Sequence, residues 1–314
     1  MRNVPVLILA YNRPIYTKKL IAALKKIKPK NIYISCDGPK NNQEDINNCN
    51  QTRDVFNSIN WNCNIKTNYF PNNLGCRKGI SRGINWFFKY EKQGIILEDD
   101  CIPTNYFFYF CNKMLMKYKN NPKIHCIGGV NFLKTKNIKE SYYFSKYNHC
   151  WGWATWKNSW ELNDPDIKFW PKFKKSKNWN MYHETKLEKK YWTKIFNNTF
   201  NRKIDSWAYP WTLSLWKVGG LTVTPKYNLV NNIGTGQNTT HSSFREKKYF
   251  SKKNLKKTLV HPDKIIKNKL ADNYVFETHF NGKNYLYPWR ILFLIKLFIK
   301  NPFKFLSKSF KVFR

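Results

Sequence analysis

The chain has 314 residues, and 56 Lys plus Arg against 19 Asp plus Glu give it a formal charge of +37. Hydrophobic residues make up 42% and aromatics 18%, enough for a sizeable core, so the sequence is no disordered polycation despite its charge. No uninterrupted apolar run approaches the ~20 residues that span a bilayer, which excludes a polytopic membrane protein. At roughly 150 residues per domain, the length suits one large domain or two small ones.

Val4 to Ala10 is a short apolar run without a small-residue cleavage site behind it, and it reads as a buried strand rather than a signal peptide. A helix is expected from Pro14 to Ile27, then a strand over NIYIS ending at Cys36-Asp37-Gly38. After an Asn- and Gln-rich loop come a helix around Asp45 to Ile59 and a short strand near Cys63 to Thr67. A turn at Asn72-Asn73-Leu74-Gly75 precedes a helix from Cys76 to Tyr90, and Gly94-Ile95-Ile96-Leu97 is a buried strand running into Glu98-Asp99-Asp100. This alternation predicts an α/β fold with a mostly parallel central sheet flanked by helices. Ligands of such sheets bind outside the carboxyl ends of the strands, so Asn12-Arg13, Asp37-Gly38 and Glu98-Asp99-Asp100 should meet at one crevice.

Beyond Pro122 the pattern turns α+β and aromatic-rich, with ten of the thirteen tryptophans between Trp151 and Trp216. The eight cysteines all lie in the first half and form no C-x-x-C pair, which predicts free thiols in a reducing compartment.

Three adjacent carboxylates are the sharpest chemical signal. Like charges raise one another's pKa unless a cation neutralises them, and hard oxygen ligands on a loop suit Mg²⁺ or Mn²⁺ shared with a phosphate-bearing ligand. The bland alternative is a solvated acidic turn. Asp37 could accept from a base imide or simply make a turn. Arg77 and Lys78, followed by Arg82, could hold phosphates or stand as exposed helix cations. Asp205, within Ile204-Asp205-Ser206-Trp207, is expected to be desolvated by its aromatic neighbours and so to suit a general base, or else to cap the helix running through Trp216. His241 follows a glycine- and hydroxyl-rich loop that could close over phosphate. No G-x-G-x-x-G and no Walker A sequence occurs.

A charge this large attracts polyanions, yet no zinc finger, RNA-binding aromatic signature or helix-turn-helix is present, so no specific nucleic-acid partner is expected. Most of the lysines, including those at 247, 248, 252, 253, 256 and 257, read as a solvated basic surface. The last residues differ. After Tyr287-Pro288-Trp289-Arg290, lysines at 296, 300, 304 and 308 alternate with Leu, Ile and Phe. That spacing predicts an amphipathic helix, restarted at Asn301-Pro302, lying on an anionic membrane surface rather than packing on the domain.

The ordered runs PVLILAYNRP, IYISCDGP, NLGCRKGISRGINWFF, GIILEDDCIPTNYFF, CWGWATWKNSW, KIDSWAYPW and GGLTVTPKYNLVNNIGTGQNTTH resemble the GT-A glycosyltransferases, notably N-acetylglucosaminyltransferase I and bacterial sugar transferases sharing its domain. The resemblance covers roughly residues 4 to 245. It implies a GT-A catalytic domain over 1–245, divided into a nucleotide-binding half (1–121) and an acceptor half (122–245). A basic linker (246–286) and a membrane-associating tail (287–314) follow.

By this likeness, a nucleotide-sugar donor, UDP-linked, and Mn²⁺ or Mg²⁺ as cofactor are implied, while the basic tail and the lack of a signal-peptide pattern lead to the expectation of a glycan or lipid-linked acceptor at the inner face of a bacterial membrane. Asp100 is implied as the metal ligand, and Glu98 and Asp99 belong to the same acidic motif. Asp37 matches the uracil contact, and Ala10, Tyr11 and Arg13 match the first nucleotide-binding loop. Trp151, Gly152 and Trp153 match the segment beside the donor sugar and acceptor, the tryptophans offering flat faces to sugar. His241 matches the closing loop, and Asp205 the base of an inverting transfer. One departure is Ile204, where animal members carry an aromatic. The competing readings are a sugar nucleotidyltransferase, which would need a glycine-rich loop after the first strand, and a basic membrane- or nucleic-acid-binding protein without catalysis.

Overall fold

The structure, a computed structural model, describes residues 3–134, 138–234, 258–285 and 288–300. His241, the lysines at 247–257 and residues 301–314 lie outside the described residues.

Strand β1 (Val6–Ala10) is buried at every position because it is flanked in parallel by β2 (Asn31–Cys36) and β4 (Gln93–Glu98). β3 (Asn64–Tyr69) extends the parallel run as an exposed edge. Helices α1 (Pro14–Leu24), α2 (Gln43–Val55) and α3 (Gly75–Tyr90) connect these strands. Proline at the first position of α1 gives up only an amide that no helical carbonyl would accept. Asn42 caps α2 by accepting from the Asp45 amide at 2.9 Å.

Next come β5 (Cys101–Pro103), α4 (Asn105–Lys117), β6 (Ile124–Gly128), β7 (Tyr142–Ser145) and β8 (Trp153–Trp156). Five helices follow: α5 (Lys157–Trp160), α6 (Trp170–Phe173), α7 (Lys177–Tyr182), α8 (Lys186–Phe200) and α9 (Ala208–Lys217). β9 (Leu221–Pro225), β10 (Val230–Asn232), α10 (Lys269–Thr278) and α11 (Trp289–Lys300) complete the described elements.

The central sheet has eight strands in the order β3-β2-β1-β4-β8-β6-β9-β7, and β5 pairs separately with β10. The expected mostly parallel sheet is corrected to a mixed one. β8 runs antiparallel to both β4 and β6, and β7 is antiparallel to β9. The physical reason is connectivity: β8 enters between β4 and β6 from a distant loop, without the crossover helix that a parallel neighbour needs.

Alternation along β1 sends Val6, Ile8 and Ala10 to one face and Leu7 and Leu9 to the other, and each face has its own core. The second face is closed by Trp153, Trp160, Trp207 and Trp211. A third cluster, built on α6 to α10, buries Trp170, Trp179, Trp192 and Trp216 to within 1% of full burial. The tryptophan-rich segment is therefore core rather than a sugar-facing surface, with Trp151 the half-buried exception. All eight cysteines are free, as expected.

Candidate active site

Register places the strand ends together. Ala10 pairs with Cys36 and Leu9 with Glu98, so the residues that follow β1, β2 and β4 emerge at one edge of the sheet. There the acidic triplet meets Arg13. The guanidinium forks across two carboxylates, with Nε 3.3 Å from Asp99 Oδ2, Nη2 donating to Asp99 Oδ1, and Nη1 3.0 Å from Asp100 Oδ2. The Asp99 side chain is 1% exposed and that of Arg13 35%, so the acid is fixed and the cation stands at the rim. Burial, then Asp100 and Asp99, push the Glu98 carboxyl well up. Burial also raises Asp99, against the opposing pull of Arg13.

Asp100 is held from the far side by β10. Asn232 Nδ2 donates to its Oδ1 at 3.2 Å, and the Ile233 amide donates to its backbone carbonyl at 2.9 Å. Gly234 passes so close that a Cβ there would lie 2.1 Å from Asp100 Oδ2, so only glycine lets the chain cross this carboxylate. Among the described residues, no group of three His, Cys, Asp or Glu side chains converges to hold a metal. Glu98 is half-buried, and the Asp100 side chain, 12% exposed against 1% for Asp99, accepts from Arg13 and Asn232. Mg²⁺ is commonly held by one or two carboxylates together with substrate phosphates, so this donor set fits a hard divalent ion shared with a diphosphate.

The start of α3 is bonded by two aspartates from different parts of the chain. Asp37 Oδ1 accepts from the amides of Gly38 (2.9 Å) and Leu74 (2.9 Å), and its Oδ2 from Gly75 N and Asn73 Nδ2 (each 3.2 Å). Asp205 accepts from the amides of Cys76 (3.1 Å) and Arg77 (3.2 Å). Consecutive helix-start amides that would otherwise lack partners are thus satisfied by two carboxylates. Gly75 makes this possible: its φ is +78°, and a Cβ would sit 3.1 Å from Asp205 Oδ2.

Asp205 is exposed, which corrects the expectation that aromatic neighbours desolvate it, and the helix it caps is α3 rather than α9. Arg77 is buried, and its Nη2 donates to the carbonyls of Thr199 (3.0 Å) and Ile204 (2.5 Å). In place of the expected phosphate contact, it ties α3 to the segment carrying Asp205. Lys78 is exposed. Burial raises the Asp37 carboxyl, against the amides of Leu74, Gly38 and Gly75.

Three contributors escaped the sequence reading. Asp45, in a polar stretch that reads only as a helix start, holds the loop after β1: it accepts from the Tyr11 hydroxyl, from Asn12 Nδ2 (2.5 Å) and from the Lys40 amide (2.6 Å). Asn232 is the second. The third is an aromatic wall around Trp151, where Phe132 lies 5.3 Å from Trp151 and 4.5 Å from His149, ring centroid to centroid, and stacks on His279 at 3.6 Å. Burial, then His279, push His149 well below the ordinary histidine range. Gly152, with φ +65°, carries this wall to the end of β4, within reach of Leu97 and Val230. Trp153 lies beneath, 1% exposed and stacked on Trp207, so it supports the site without facing it.

No protein-family model and no curated protein matches the chain. Among solved structures, a 4-diphosphocytidyl-2C-methyl-D-erythritol synthase from Anaerococcus prevotii is 10% identical, covering 62% of this chain and 84% of its own, with a TM-score of 0.30. A glycosyltransferase involved in the glycosylation of the major capsid of PBCV-1 is 13% identical, covering 70% of this chain and 92% of its own, with a TM-score of 0.26. At these TM-scores neither likeness bears on what this chain does.

Proposed function

We propose that the chain transfers a sugar from a uridine-diphosphate donor to a hydroxyl of a glycan or lipid-linked glycan acceptor, with inversion at the anomeric carbon. The observation that supports this best is the Arg13-bridged acidic triplet at the end of β4, on the sheet edge that also carries the Tyr11 loop and the α3 start where Asp205 sits.

Asp100, fixed by Asn232, would hold a divalent ion, Mn²⁺ or Mg²⁺, shared with the donor's phosphates. Such an ion would supply charge neutralisation for the departing nucleoside diphosphate. Asp99 stays buried and orients Arg13, whose exposed side turns toward the same phosphates. The Tyr11–Asn12 loop, pinned by Asp45, lines the nucleotide side. Phe132, His149 and Trp151 offer apolar ring faces to the C–H groups of a sugar. Asp205, steadied by two amides and by the Arg77 tie, takes the acceptor hydroxyl proton on a carboxylate oxygen as that hydroxyl attacks.

Transfer and donor binding, measured on the same variants, test these roles. Asp205→Asn is expected to lose transfer by about 10²–10⁴-fold while still binding donor, the usual scale for a general base. Asp100→Ala is expected to lose metal-dependent donor binding as well. Undiminished transfer by Asp205→Asn would remove it as the base.

A further inference from the structure

The crevice leaves unexplained a second surface, on α11. Among the described residues, no helix is long and apolar enough to cross a membrane. Even so, α11 exposes large aliphatic side chains: Ile291 is 49% exposed, Leu292 47%, Ile295 50% and Ile299 74%. At 3.6 residues per turn these four fall within an arc of about 100°, a single stripe along the helix. Scattered exposed aliphatics need no explanation, but a continuous stripe of them marks an interaction surface.

Charge identifies the occupant. Residues 287–314 carry seven Lys and Arg and no Asp or Glu, within a chain whose formal charge is +37. A nucleic-acid surface would use those cations but has no apolar layer for the four aliphatics. A second copy of the chain would bury the stripe but bring together two strongly cationic bodies. An anionic bilayer satisfies both features, because aliphatic side chains enter the acyl boundary while the cations meet the headgroups.

We infer that α11 docks in the plane of an anionic lipid bilayer, with Ile291, Leu292, Ile295 and Ile299 inserted, making the chain a peripheral membrane protein. The inference is independent of the transfer reaction, since none of the crevice residues named above lies on α11.

The test is co-sedimentation of the full chain with vesicles of mixed phosphatidylglycerol and phosphatidylcholine, and with phosphatidylcholine alone. Binding is expected only to the anionic vesicles. The double variant Ile295→Ser/Ile299→Ser should weaken it by about tenfold or more, from the lost apolar insertion. Both positions are exposed, so the variant should keep the parent's thermal unfolding midpoint, which confirms that it is folded.

Three results would overturn the inference. One is unchanged vesicle binding by the folded double variant. A second is equal binding to phosphatidylcholine alone. The third is a concentration-dependent dimer of the parent that the double variant abolishes while vesicle binding is absent, which would assign the stripe to a second copy. Nucleotide-sugar binding by the double variant should match the parent, so failure here and failure of the proposed reaction are read separately.

Discussion

Two places in the molecule gather acidic side chains around a cation, and they are built in opposite ways. At the end of β4, Asp99 and Asp100 face Arg13, a residue on a loop whose side chain is 35% exposed. Between β7, α7, α8 and α10, Lys146 meets Glu188 at 2.6 Å with side chains 0% and 1% exposed. The second pair is sealed. Tyr147 donates its hydroxyl to Glu188 Oε1 at 2.5 Å, the Glu184 amide donates to Oε2 at 3.0 Å, and the rings of Tyr147, Tyr182 and Trp216 surround the Lys146 ammonium. Neighbouring His183 is pushed down to about 3 by burial and then by Lys146, so it stays neutral. A charge pair with no route to solvent can only hold structure. One whose cation stands at the rim can exchange that cation's contacts for a ligand's.

The largest effect that would break this contrast is in the sealed pair. Glu188→Ala leaves a buried, unpaired ammonium and should cost about 3–5 kcal/mol, read as a drop in the urea midpoint. The corresponding cut at the rim, Arg13→Met, should cost less, about 1–3 kcal/mol, because the guanidinium is solvated on one side, and it should abolish donor binding in isothermal titration. If Arg13→Met proved as destabilising as Glu188→Ala while still binding donor, the rim pair would be structural too.

A finer test lies in Asp272, which accepts from Ser145 Oγ at 2.5 Å and from the Lys146 amide at 3.2 Å. Burial pushes its carboxyl up to about 6, although the Ser145 hydrogen bond and Lys146 oppose this. The folded chain therefore holds this proton to higher pH than the unfolded chain. Its stabilising contribution is complete below the ordinary aspartate value of about 4 and is lost as pH rises through about 6. Urea unfolding of Asp272→Asn should accordingly show a pH dependence over that window that is flatter by about 3 kcal/mol. The smallest expected change is Gly75→Ala, about 1 kcal/mol from the left-handed φ, with transfer falling further than stability because the added Cβ crowds Asp205.

The first half of the fold is legible because β1, β2 and β4 are apolar runs bounded by Pro, Gly and Asn, and parallel pairing of successive strands sends their ends to one edge. Tyr11, Arg13, Asp99 and Asp100 came together for that reason. The second half was not, since β7 and β8 are short aromatic strands whose direction depends on long-range pairing that no local pattern encodes. Asp205 was found by its position, yet its surroundings were misread, because sequence neighbours such as Trp207 and Trp211 turn inward while Asp205 turns out to α3. Asp45, Asn232 and the ring of His279 act across the chain, and Lys146, just past β7, pairs with Glu188 on α8, with β8 and three helices between them in the sequence. Nothing in their local sequence distinguishes them.

The most direct measurement is the thermal unfolding of the full chain against a panel of nucleotide sugars, each with Mn²⁺ and with EDTA. The account predicts that one uridine-diphosphate sugar raises the midpoint, that EDTA removes the shift, and that Asp100→Ala never shows it. A folded chain that no nucleotide sugar stabilises, or one stabilised only by a nucleoside triphosphate, would contradict it.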